Sequence, residues 1–208
     1  MKERLEILDF KDKVCFFTFL FFLIIGFLVP IYGDDISAFI SSNINVNNNN
    51  GSIISDYLWY LFVGNKKIFN IIFAIMMASF VNNSNNLLGI VKNKYNYLIS
   101  FLGVLVVSTL MFSFNYTTIK YSVLYTFPCI VLFNYFARLF KKDGLRFSVL
   151  EIIFKCLIAI YMSLSNFIFA IIFVLGNIIY IFKVRPPKRY LFTLLVSIFT
   201  NTKKLSLI

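Results

Sequence analysis

The sequence contains no histidine. That absence excludes Ser–His and Cys–His nucleophile pairs, the zinc-protease helix motif and histidine-ligated haem, so any catalysis would fall to carboxylates, lysine, tyrosine or a bound cofactor. Charge is scarce as well: 14% of the 208 residues are Asp, Glu, Lys or Arg, and nine are acidic. Cysteine is confined to Cys15, Cys129 and Cys156. Each lies in an apolar run, and their spacing matches neither a disulfide pair nor zinc ligands, so they read as small packing groups.

What is abundant is apolar surface. Hydrophobic residues make up 60% of the chain and aromatic residues 19%, and the mean hydropathy is +0.83. A soluble domain of this size has no interior large enough for that much apolar area. Several uncharged runs approach the about 20 residues that a helix needs to cross about 30 Å of hydrocarbon. The expected fold class is therefore all-α: a polytopic integral membrane helical bundle of about six transmembrane helices plus a short C-terminal apolar segment, in a single membrane domain over residues 1–208.

Residues 1–13 mix Lys2, Arg4, Lys11 and Lys13 with Glu3, Glu6, Asp9 and Asp12, a pattern that suits a short amphipathic segment at the cytoplasmic face. Val14 to Tyr32 follows as a Phe-rich first span, too long for a signal-peptide core and without a small-residue cleavage site. Residues 33–67 form the expected outer loop. Within it Asn43 to Asn50 is a low-complexity polar tract read as a flexible connection, and Ile53 to Val63, with Tyr57, Trp59 and Tyr60, reads as a helix along the membrane surface.

The second span is expected from Ile68 through the Asn82–Asn86 stretch, the third over Tyr97 to Phe114 and the fourth over Tyr121 to Phe140, with a kink near Pro128. The 36 residues from Phe147 to Phe182 are too long for one span, and the polar Ser163-Leu-Ser-Asn166 breaks them into two. Tyr190 to Thr200 is an apolar run of half a span, which gives the C-terminus the look of a truncated chain. No internal repeat of the kind that builds secondary transporters stands out.

The net charge of +11 does not imply nucleic acid as a partner, because the basic residues sit in short clusters between apolar runs and form no basic face interleaved with aromatics. Their distribution instead orients the chain. Fourteen fall in alternate segments: Lys2, Arg4, Lys11 and Lys13; Lys92 and Lys94; Arg138, Lys141, Lys142 and Arg146; Lys183, Arg185, Lys188 and Arg189. Five fall in the opposite set: Lys66, Lys67, Lys120, Lys203 and Lys204. Basic residues are held on the cytoplasmic side, so the N-terminus is expected there, in a bacterial plasma membrane, with Asp34 and Asp35 outside.

The sequence Pro30-Ile-Tyr-Gly-Asp-Asp35 at the outer end of the first span is the main candidate site. Adjacent carboxylates at a membrane surface can accept a proton from a hydroxyl group or hold a divalent cation such as Mg or Mn. They can equally be structural, with Gly33 making a turn and Asp34 or Asp35 capping a short helix from Ile36. Glu151 and Lys155 form a second constellation, four residues apart inside the fifth span. Charges there suggest an ion or proton path, and their spacing also suits a structural ion pair with Lys155 snorkelling. Asn134, Asn166 and Asn177 read as interhelical hydrogen-bonding residues. Asn115-Tyr-Thr117 fits a glycosylation sequon, which has meaning only in a secretory pathway.

A first span leading into Gly33-Asp34-Asp35, then the aromatic Ser55-Asp-Tyr-Leu-Trp-Tyr60 and a Lys66-Lys-Ile-Phe-Asn70 entry into the second span, resembles the start of GT-C type polytopic glycosyltransferases. It is most similar to the bacterial branch related to glucosyl transferases of surface polysaccharides, over roughly the first 90 residues. The resemblance implies transfer of a sugar from a polyprenyl-phosphate donor to a surface glycan acceptor on the outer face. It assigns Asp34 and Asp35 as base or metal ligands, Asp35 foremost, and places the surface helix beside the active site. Lys66, Lys67 and Lys120 follow by charge and side as cations near the anionic donor. Members of that superfamily are longer, and this chain has no arginine predicted on the outer side. The competing reading is a non-enzymatic membrane protein, a transporter or assembly subunit, or an inactive fragment.

Overall fold

The computed structural model describes residues 2–31, 33–40, 53–87, 95–96, 98–103, 119–141, 148–184 and 188–205, and every regular element among them is helical. Helix α1 (Lys2–Leu28) is continuous, so residues 2–13 are its first turns and not a separate amphipathic helix. No glycine or proline interrupts the stretch before Gly26, which removes any local reason to break. Pro30 ends it, and the short α2 (Asp34–Ile40) follows. Helix α3 (Ile53–Gly64) fills the expected surface segment, and α4 (Lys66–Leu87) runs through the Asn82–Asn86 stretch.

Helix α5 is built from three consecutive pieces, Ile119–Tyr121, a π-helical turn at Ser122–Thr126, and Phe127–Lys141. Pro128 has no N–H to return to residue 124, and its ring crowds that carbonyl. The distortion expected near Pro128 accordingly appears as a widened turn just before it, with Phe127 N–H donating to the Ser122 carbonyl. Helix α6 (Val149–Ser165) and α7 (Phe167–Val184) are divided at Asn166, whose extended backbone (φ −148°, ψ 137°) breaks the long apolar run where its polar residues predict. Helix α8 (Lys188–Leu205) completes the described chain.

Three stretches among the described residues are long and apolar enough to cross a membrane: Lys66–Ser84, Ile119–Leu139 and Phe167–Val184. These match the second, fourth and sixth expected spans. The other expected spans do not add to the three, for physical reasons. The uncharged part of α1, Val14 to Leu28, gives about 22 Å of helix at 1.5 Å per residue, short of the about 30 Å hydrocarbon core. Helix α6 has 17 residues and carries Glu151 and Lys155, and the apolar part of α8, Tyr190–Thr200, is shorter still. The third expected span lies mostly outside the described residues, as do the Asn43–Asn50 tract and the sequon at Asn115.

The distribution of polarity is that of a membrane protein. Leu28, Leu150, Leu195 and Phe182 face outward, whereas Thr18, Asn70, Asn177 and Thr193 are at most 2% exposed. Helices α1, α4 and the start of α5 pack through Phe22, Phe69, Phe73 and Phe127. The Phe69 ring lies 5.7 Å from Phe73 and 5.8 Å from Phe127. A second cluster joins α5 to α6, α7 and α8. There α6 meets α8 through small residues, Ala159 and Ser163 against Thr193 and Ser197, all fully buried, and Ser163 Oγ donates to the Ser197 carbonyl. Four-residue spacing of small side chains lets helix backbones approach where lipid supplies no hydrophobic drive.

Candidate functional site

The acidic pair sits where α1 gives way to α2. Gly33 adopts φ 61°, a conformation that favours glycine, and turns the chain so that Asp34 and Asp35 open α2. The two aspartates then part company. Asp34 remains 54% exposed, while Asp35 is 2% exposed.

A buried carboxylate needs donors, and Asp35 has three. Trp59 Nε1 donates to Oδ1 at 2.7 Å from α3. The backbone N–H groups of Ile119 and Lys120 donate to Oδ2 at 2.6 Å and to Oδ1 at 3.2 Å. Those two groups belong to the first turn of α5, where backbone donors have no intrahelical acceptor and the helix end is partly positive. Asp35 therefore caps a helix, but it is α5 and not the short helix that begins beside it.

Asp34 faces Lys120, whose ammonium lies 2.8 Å from Oδ2 and 4.8 Å from the centre of the Trp59 ring. Lys120 thus touches both aspartates' surroundings, through its side chain to Asp34 and its backbone to Asp35. Asp56 on α3 lies close enough to act electrostatically on the same ammonium. Of the three candidate lysines, Lys120 is the one joined directly to the pair.

Lys66 reaches back to donate to the Val29 carbonyl, at the end of α1 where carbonyls lack intrahelical partners. It also lines a cavity of about 40 Å³ with Asp35, Asn70, Gly26 and Ser122, a size that admits a water molecule or a hydroxyl group. Asn70 is 2% exposed, and its Nδ2 has no hydrogen-bond partner among the described residues. Gly26 makes room for it, since a Cβ there would lie 2.9 Å from the Asn70 amide. Lys67 is exposed on the next position of α4 and does not join the cluster.

Comparison with family models, curated proteins and solved structures finds no match for this chain. The likeness to GT-C type transferases thus continues to rest on the residues quoted for it.

The donor set does not suit a dication. Both oxygens of Asp35 are taken up by N–H groups, and the Lys120 ammonium occupies Asp34. Among the described residues no three His, Cys, Asp or Glu side chains come together.

The second constellation divides by role. Glu151 closes a capping box with Ser148, accepting from the Ser148 N–H at 3.1 Å while Ser148 Oγ accepts from the Glu151 N–H at 3.2 Å. Lys155 points inward, its ammonium buried and 4.8 Å from the Tyr190 ring centre. Asn134 bridges α4 and α5 through Asn83 and Ser79. Asn177 holds Tyr135 of α5 at 2.7 Å and also accepts from Tyr190 of α8. Asn166 departs from the expected interhelical role, since its Oδ1 accepts from Ile168 N–H and caps α7.

Sequence reasoning missed two contributors. Trp59 reads as a membrane-belt aromatic, and nothing local marks its indole as the partner of a carboxylate 24 residues earlier. Asn70 carried a signal, an amide close to the start of an apolar run, of the kind that membrane helices keep for interhelical or site contacts.

Proposed function

We propose that this chain is a multi-pass membrane protein of the lipid-linked sugar transferase type, working at the outer face with Asp34 as the group that accepts the acceptor's hydroxyl proton. The observation that carries this reading is the unequal burial of the acidic pair: an exposed carboxylate held by Lys120, standing on a buried one that fixes α2, α3 and α5 together. A base must reach the proton it removes. Asp34 is accessible, whereas the Asp35 oxygens already receive three N–H donors, so Asp35 acts here as a positioning residue. This reverses the order of the two aspartates that the family likeness implies.

In this reading the chain crosses about six times with a cytoplasmic N-terminus, in keeping with the fourteen-to-five division of its basic residues. Helix α1 and α6 would then span with locally thinned bilayer or snorkelling ends. The Lys120 ammonium would offset the charge of a phosphate-linked donor as Asp34 takes the proton, and the apolar outward faces would seat the polyprenyl chain. No metal step is included, because the carboxylates do not present a dication site.

A second reading, a non-enzymatic assembly subunit, is favoured by one observation, the complete use of Asp35 in tying helices. One substitution separates the readings. Asp34→Asn is expected to abolish glycan modification in a strain dependent on this protein, and sugar turnover from a polyprenyl-phosphate donor in its membranes, with insertion and stability unchanged. Normal glycan in that strain would remove the enzymatic reading. A reporter fused after Asp56 that is active only in the cytosol would reverse the orientation.

A further inference from the structure

The cavity of about 40 Å³ beside Asp35 is built by two helix faces that meet. Gly26 and Val29 of α1 line it from one side, and Lys66 and Asn70 of α4 from the other. Residues three and four apart share a helix face, so each pair points the same way. Phe22 and Phe73, whose ring centres lie 5.9 Å apart, line the cavity one turn further from the aspartates. Gly26 is what opens the space, since a Cβ there would meet the Asn70 amide at 2.9 Å.

The polar groups around this space define its guest. Asn70 is 2% exposed, and its Nδ2 has no hydrogen-bond partner among the described residues. A buried donor left unanswered costs the whole of its desolvation, so the amide calls for an acceptor. Asp35 supplies the complementary group. Trp59 Nε1 and the Lys120 N–H both donate to Oδ1, whereas Oδ2 takes the Ile119 N–H alone. An ionised carboxylate offers about four acceptor positions, so among the described residues Oδ2 keeps one for a further donor.

The charges of the wall cancel, with half-buried Lys66 set against Asp35. An anion would face Asp35, and a cation would face Lys66 and the Asn70 amide hydrogens. The volume exceeds the about 10–15 Å³ that one water requires and falls far below the about 300 Å³ of the smaller ligand sites. We infer that the cavity is a binding site for a single uncharged hydroxyl oxygen, a water or the hydroxyl of a larger molecule entering past exposed Pro30, which accepts from Asn70 Nδ2 and donates to Asp35 Oδ2. That oxygen ties α4 to the joint that Asp35 makes between α2, α3 and α5. The assignment is independent of the transferase reading, because Asp34, the base in that reading, is not among the residues that line the cavity.

The test is X-ray radiolytic labelling of the full chain in nanodiscs, in which hydroxyl radicals formed from a bound hydroxyl oxidise the side chains beside it. Phe22 and Phe173 are both at most 1% exposed, but only Phe22 lines this cavity, so Phe22 should be oxidised several-fold faster. Asn70→Leu should slow Phe22 about fivefold, the worth of one neutral hydrogen bond, and leave Phe173 unchanged. Asn70→Ser, which keeps a polar group, should retain most of the labelling. Thermal unfolding checks each variant, and the comparison of Phe22 with Phe173 in the unaltered chain decides the matter even if Asn70→Leu does not fold. Added methyl glucoside separates the two sources: a slower Phe22 relative to Phe173 assigns the hydroxyl to a ligand, and an unchanged ratio assigns it to water. Phe22 labelled no faster than Phe173, or labelling unaffected by Asn70→Leu in a folded protein, overturns the inference. So does slowing by sodium phosphate and not by the glucoside, which would make the cavity an ion site.

Discussion

Asp35 and Asn177 are both buried polar side chains that join three helices, yet they do so with opposite chemistry. Asp35 is an anion supplied by N–H donors, two of them the unpaired backbone groups that open α5. Asn177 is a neutral amide whose oxygen takes the hydroxyls of Tyr135 and Tyr190 while its Nδ2 returns to the Phe173 carbonyl at 2.7 Å. The first hub uses a helix end, where partial positive charge is already present. The second lies in mid-helix, where backbone N–H groups are spent and the amide oxygen is answered by side-chain hydroxyls. The difference teaches two ways in which this bundle satisfies a buried polar group, one at a helix end and one within a helix.

Four substitutions would sharpen or break that contrast. The largest effect is expected from Asp35→Ala, which orphans two backbone N–H groups and the Trp59 indole, at a cost of about 3 kcal/mol. Unfolding in detergent, followed by Trp59 fluorescence as the sole tryptophan, measures it, and a loss under about 1 kcal/mol would show that α5 does not need this cap. Asn177→Leu comes next, at about 1 kcal/mol, since neutral hydrogen bonds between membrane helices are modest. Tyr190→Phe should cost less alone, and the double variant should fall short of the sum, because both remove one network. Additive losses would dissolve the idea of a hub.

The smallest effect is expected from Lys120→Met. Its partner Asp34 is more than half exposed, so the pair contributes under about 1 kcal/mol and fades with added salt. A large, salt-independent loss would mean that the charge itself, and not Asp35 beneath it, holds the outer end together.

Much of this arrangement could be read from the chain, and the part that could not is physically coherent. Apolar runs and their polar breaks give the helices, since Asn166 divides α6 from α7 where the Ser–Leu–Ser–Asn stretch predicts. Pro128 likewise announces the distorted turn in α5. Span number was harder, because a hydropathy run does not show where a helix stops. Pro30 cuts α1 short of Tyr32, and the paired charges Glu151 and Lys155 burden α6. At the candidate site, Gly33-Asp34-Asp35 marks the place, but nothing local tells which aspartate turns inward. That choice is made by Trp59 and by the first turn of α5, contacts 24 and 84 residues away.

The capping of α5 by a residue from α2 has a consequence for biogenesis. Synthesis proceeds from the N-terminus, so Asp35 emerges 84 residues before the Ile119 amide that will receive it. Until then, of its three donors only the Trp59 indole, 24 residues on, has been made. Only when the α5 segment is delivered can the loop be drawn down and sealed, so this end of the molecule matures late, and a ribosome stalled before residue 119 would leave it open.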